Sequence, residues 1–127
     1  MAANKSFNLA PTALTTTLTT NILNPNVTSL AGPVGFTLTQ PYILLTHIRV
    51  SNKTASAATF SLWRGTTGAN AAGTEFLGTG ISVAANSYLD FYSTKGWRFD
   101  AADFLVGGSG TATALTISAE GEVGVSG

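Results

Sequence analysis

Apolar residues along this chain recur in short alternating runs, and helical spacing is nearly absent. In residues 42–50, Tyr42, Leu44, Ile48 and Val50 share one parity with Thr46, while Ile43, Leu45, His47 and Arg49 share the other. Successive side chains of a strand point to opposite faces, so this run predicts a strand. Apolar residues on both parities at its start predict a central strand buried on both faces there. Residues 57–64 repeat the alternation, with Phe60 and Leu62 facing inward and Thr59, Ser61 and Trp63 facing away. Residues 88–93 set Leu89 and Phe91 against Tyr88, Asp90 and Tyr92. Shorter pieces at 81–83, 97–99 and 104–106 and a closing pair, 111–119 and 122–125, bring the expected total to about eight to ten strands.

The N-terminal third is read differently. Residues 1–10 are polar and weakly patterned and predict an arm; residues 11–23 follow as a Thr-rich strand with Leu14 and Leu18 on one parity. Asn24-Pro25-Asn26 breaks that strand and Gly32-Pro33 closes the next loop. Residues 51–56 read as a hairpin loop, residues 65–80 as a Gly/Ala/Thr/Asn excursion, and residues 107–110 as a turn. Gly121 sits where a bulge or tight bend separates the last two strands. The expectation is one all-β domain over residues 11–127, an antiparallel β-sandwich carrying the arm 1–10. The arm has little to bury in its own domain and is expected to order on assembly.

Composition narrows the function. The chain has 127 residues, 44% of them apolar, enough for a core without staples. Only 9% are charged, six basic against six acidic, where soluble domains average about 25%. A surface of Thr, Ser and Asn with so little net repulsion suits a protein packed against neighbours. Lys5, Arg49, Lys53, Arg64, Lys95 and Arg98 are scattered singly, which argues against nucleic acid as a partner. Without cysteine, thiolate metal sites and disulfides are excluded. No run approaches the roughly twenty apolar residues of a membrane helix and no signal peptide is evident, so synthesis in the cytoplasm is the expectation. On that expectation the sequons at Asn26 and Asn52 are chance matches in a Thr-rich chain.

Candidate chemistry is sparse. His47 is the single histidine, and no Gly-x-Ser-x-Gly elbow accompanies it or Asp90, Asp100 and Asp103. The plainer account is a strand histidine hydrogen-bonded to a neighbour. Glu120 and Glu122, or Asp100 and Asp103, are spaced to share a hard cation, but they equally suit edge protection and turn bonding. The glycine clusters match no phosphate-binding fingerprint. No enzyme activity, cofactor or metal is expected.

The aromatics are more informative. Tyr88 and Tyr92 oppose the apolar face of their strand, Trp63 opposes Phe60 and Leu62 and adjoins Arg64, and Trp97 adjoins Arg98. Trp, Tyr and Arg are enriched where binding energy concentrates. Trp63, Arg64, Tyr88, Tyr92, Trp97 and Arg98, with Leu14 and Leu18, are therefore the candidate interface residues. Stacking on a sugar is the rival use of the same rings.

The run from Ile48-Arg49-Val50-Ser51-Asn52 to Ala58-Thr59-Phe60-Ser61-Leu62-Trp63, then Ile81-Ser82-Val83-Ala84-Ala85-Asn86-Ser87, then residues 113–121, resembles small structural proteins of tailed bacteriophages. These are capsid decoration (cement) proteins and minor tail or head–tail adaptor proteins. The resemblance implies a jelly-roll-like sandwich, no catalytic residues, and assembly in symmetric copies. A homotrimer bound to the major capsid protein at the capsid surface of the virion is the leading expectation. A tail or adaptor component, or a carbohydrate-binding β-sandwich module, is the alternative.

Overall fold

The computed structural model describes residues 5–23, 41–65, 70, 72–100 and 103–125. Within them the chain is all strand: β1 (Lys5–Ala13), β2 (Asn21–Leu23), β3 (Pro41–Asn52), β4 (Ala58–Gly65), β5 (Glu75–Val83), β6 (Tyr88–Phe99), β7 (Phe104–Ser109) and β8 (Leu115–Val125). They form two antiparallel four-stranded sheets, ordered β1-β8-β3-β6 and β2-β7-β4-β5. The sandwich expected from the alternating runs is therefore present. Strand β1 pairs with β8, β2 with β7, β3 with β6 and β4 with β5. The two halves of the chain thus run alongside one another like a long hairpin. Further pairings, β3 with β8 and β4 with β7, arise where that hairpin is wound back on itself.

The core lies between the sheets. Ile43, Leu45, Ile48 and Val50 of β3, Leu115 and Ile117 of β8 and Phe99 of β6 face Phe60 and Leu62 of β4, Val83 and Phe76 of β5 and Leu105 of β7. Burying each such side chain is worth roughly 1.5–3 kcal/mol. Edge-to-face contacts of Phe76 with Trp97 and Phe99, both at 5.5 Å, close one end of this layer.

Strand β3 is central, between β6 and β8, but it is not buried on two faces. Ile43 and Leu45 point into the core, and so do Ile48 and Val50, of the opposite parity. A bulge at Thr46 reverses the alternation: Leu45 pairs with Gly121 and His47 with Glu120. Opposite the same point, β6 makes an excursion of residues 93–96, because Leu45 pairs with Trp97 and His47 with Tyr92. Gly121 lies against the bulge so closely that a Cβ there would stand 1.8 Å from the Leu44 carbonyl oxygen. Only glycine fits, and the glycine lets the two expected closing strands run as one, β8.

Four other expectations change. Residues 5–10 are not a free arm; with 11–13 they form β1, the edge strand on β8. The strand expected over 11–23 is interrupted from residue 14 to 20, where threonine hydroxyls compete with the ladder: Thr15 Oγ1 lies 2.9 Å from Thr20 Oγ1, and Thr20 Oγ1 donates to the Thr17 carbonyl. The segment after Asn52 is no hairpin loop, because β3 and β4 belong to different sheets. Finally, the excursion expected through residue 80 gives way to β5 at Glu75. There Leu77 holds a positive φ of 68°, and the register against β4 shifts twice. Residues 24–40, with the expected breaks at Pro25 and Pro33, lie outside the described residues.

Candidate interaction surface

The outer face of the β1-β8-β3-β6 sheet is built by the parity that the Thr46 bulge creates. Downstream of the bulge, His47 and Arg49 point outward from β3, Glu120 and Ser118 lie across from them on β8, and Tyr92 and Asp90 across from them on β6. Asn8 of β1 extends the first row beyond Glu120, so the face reads Asn8, Glu120, His47, Tyr92, with Ser118, Arg49, Asp90 beside it.

These rows are joined by charge. The Arg49 guanidinium donates twice to Asp90, Nε to Oδ1 at 2.7 Å and Nη2 to Oδ2 at 3.0 Å. His47 Nε2 lies 2.8 Å from Asp90 Oδ1, and Nδ1 lies 3.0 Å from Glu120 Oε1. A neutral imidazole has one N–H, and a protonated one donates to both carboxylates. The hydrogen bonds from Arg49, then His47, hold Asp90 well below the usual carboxylate range, at about 2, while the same pair raises Arg49. The two carboxylates approach opposite ring nitrogens and do not converge on a common point. Among the described residues no group of acidic and histidine side chains is arranged to hold a metal ion.

The tyrosines flank this network. The Tyr92 ring stacks on His47 with centroids 4.6 Å apart and planes 13° apart, and the Arg49 guanidinium lies 4.4 Å from the Tyr88 ring centre. Both rings stay open on their other side: Tyr92 is 70% and Tyr88 55% exposed. Beyond His47, an open hollow of about 320 Å³ is lined by Asn8, His47, Arg49, Ser118, Ala119 and Glu120.

The remaining candidate residues fall elsewhere. Arg98 packs over the Tyr42 ring at 4.1 Å and pairs with Asp100 at 2.9 Å. Arg64 donates to the Arg98 carbonyl at 3.1 Å, and Trp97 is half-buried against Phe76. These three line one end of the sandwich, away from Tyr88 and Tyr92. Leu18 is exposed in the turn before β2. Leu14 and Trp63 are corrections. Leu14, at 2% exposure, belongs to the core, because β1 ends at Ala13 and the chain dips inward. Trp63 faces away from the core as its parity requires, across from Val106, yet is only 7% exposed, so it is already covered within its own chain.

Sequence reasoning placed His47, Asp90 and Glu120 in no common site. Arg49 was passed over, its register against Asp90 being invisible without the strand pairing. The signal available was the parity of Arg49 with His47 and of Asp90 with the tyrosines. Asn52 was also missed: its buried amide donates to the Ser56 and Val83 carbonyls and accepts from Thr54, which commits the sequon's nitrogen to the fold.

No family model, curated protein or solved structure matches this chain.

Proposed function

We propose that this chain is a virion structural protein, a capsid decoration protein made in the host cytoplasm that binds the major capsid protein at the capsid surface. The observation that carries the reading is the outer sheet face. Two of the three large hydrophobic side chains exposed among the described residues, Tyr88 and Tyr92, stand on it over a paired ionic network. Rigid aromatic rings backed by an arginine are the groups that anchor protein interfaces. In a chain with 9% charged residues, this face concentrates two of the six acids and the single histidine. The pairing of β1 with β8, β2 with β7, β3 with β6 and β4 with β5 supports a jelly roll, an architecture that viral shells use, though function rests on the surface and not on the fold.

A carbohydrate-binding face is the second reading, favoured by the hollow where Asn8, Arg49, Ser118 and Glu120 converge. Against it, the ring face that Tyr92 turns toward that hollow is covered by His47, so the polar groups and the open aromatic faces are separated. Quantitative mass spectrometry of purified particles tests the first reading. The expected result is a fixed copy number per particle, with particles lacking the chain releasing their DNA at lower temperature. Its absence from particles would overturn the reading.

A further inference from the structure

We propose that the β6 edge is a self-association surface, where two copies pair β6 against β6 antiparallel about a two-fold axis at Asp90. The inference goes beyond the virion reading and does not depend on it.

Backbone direction comes first. The Asn52 N–H donates to the Ser87 carbonyl at 2.7 Å, which makes that position a hydrogen-bonded pair of the β3–β6 ladder. Hydrogen-bonded and non-hydrogen-bonded pairs alternate in antiparallel sheets. The register Val50 with Leu89, Ile48 with Phe91 therefore continues the bonded set, and Ser51 with Tyr88, Arg49 with Asp90, His47 with Tyr92 are the non-bonded pairs. The N–H and C=O groups of Tyr88, Asp90 and Tyr92 consequently point away from β3. Among the described residues β6 is the last strand of its sheet, so they point to an edge that no described strand covers.

Side chains select the same three residues. Non-bonded pairs bring side chains closest, which is why Arg49 meets Asp90 and His47 stacks on Tyr92. Each tyrosine has one ring face turned toward β3 and the other toward the edge, where a further strand would continue the row.

The other described edges are guarded. Strand β2 has three residues. Strand β5 carries positive φ at Leu77, Gly78 and Gly80, and β1 contains Pro11 beside its register shift. Residues 88–92 are regular throughout.

The occupant follows from the pattern Tyr88-Leu89-Asp90-Phe91-Tyr92, which reads alike in both directions: outward Tyr, Asp, Tyr and inward Leu, Phe. A two-fold interface requires a self-complementary patch. With the axis at Asp90, Tyr88 of each copy lies across from Tyr92 of the other, and all edge-directed backbone groups find partners. The two Asp90 carboxylates would oppose one another, but each is turned inboard onto Arg49 and His47 of its own β3. The symmetry is two-fold, in place of the trimer that the resemblance implies.

Amide hydrogen exchange and sedimentation on the purified chain, across about 1 μM to about 500 μM, test this. The expected result is concentration-dependent dimers in which the amides of Tyr88, Asp90 and Tyr92 slow about tenfold or more, while Leu89 and Phe91 are protected throughout. Tyr92→Lys and Tyr88→Lys, each with its Leu89 and Phe91 protection intact, should stay monomeric. A wild-type chain that is monomeric over the whole range, or that associates with those three amides still fast, overturns the proposal. So does a folded lysine variant that dimerises like the wild type.

Discussion

Asn52 is a polar side chain in an apolar corner, and its amide is bonded on both ends. Its nitrogen donates to the Ser56 and Val83 carbonyls, and its oxygen accepts from the Thr54 amide and hydroxyl. It thereby ties the β3–β4 crossover to the end of β5. Asn52→Ala leaves those partners without a replacement, and the expected loss is about 2–3 kcal/mol in urea denaturation. A loss below about 0.5 kcal/mol would show that the corner is held by something else. Asp90 gives a pH dependence. Its folded-state pKa, about 2, lies below the unfolded value near 3.8, so the carboxylate's contribution is complete above the unfolded value and is lost as pH falls through 2. Urea midpoints at about pH 6 and about pH 2.5 should therefore differ more for the wild type than for Asp90→Asn. Equal differences would mean that the Arg49 pair does not stabilise the fold. The tyrosines of this face were legible from parity alone, because alternation is local. The Arg49–Asp90 pair was not, since it depends on the register of strands 41 positions apart.

At the scale of the element, β3 shows how one residue redirects a sequence reading. Its apolar start on both parities was visible, and two physical causes produce that pattern: burial on both faces, or a bulge. The bulge at Thr46 is the actual cause, and Gly121, recognised as a bulge or bend, is its counterpart on β8. Gly121→Ala forces a methyl group into the Leu44 carbonyl and is expected to cost about 1–3 kcal/mol; thermal unfolding measures it, and an unchanged midpoint would contradict the close approach. The N-terminal segment was misread for a different reason. Phe7 and Leu9 share a parity, but a short polar strand has little signal until the edge it joins is known. Because residues 5–13 cover the outer ladder of β8, deleting residues 2–10 should remove about 3 kcal/mol or more of stability and promote aggregation through the bared edge. A deletion variant as stable and soluble as the full chain would restore the free-arm picture.

For the whole molecule, the sandwich was legible because β3, β4 and β6 carry their own alternation, whereas strand order was not, because pairing between distant strands has no local code. That order places β3 and β8 at the centre of one sheet and leaves β6 at its edge, so the fold presents Tyr88 and Tyr92 on a rigid, ion-paired face. We propose that this face exists for contact with protein, and adding purified chain to capsid shells that lack it, with bound copies measured by co-sedimentation, tests this directly. Binding is expected to saturate at a fixed number of copies per shell, with Tyr88→Lys together with Tyr92→Lys weakening it by about tenfold or more. Shells that bind none of the wild-type chain, while a neutral polysaccharide binds it through the same tyrosines, would overturn the protein-contact reading.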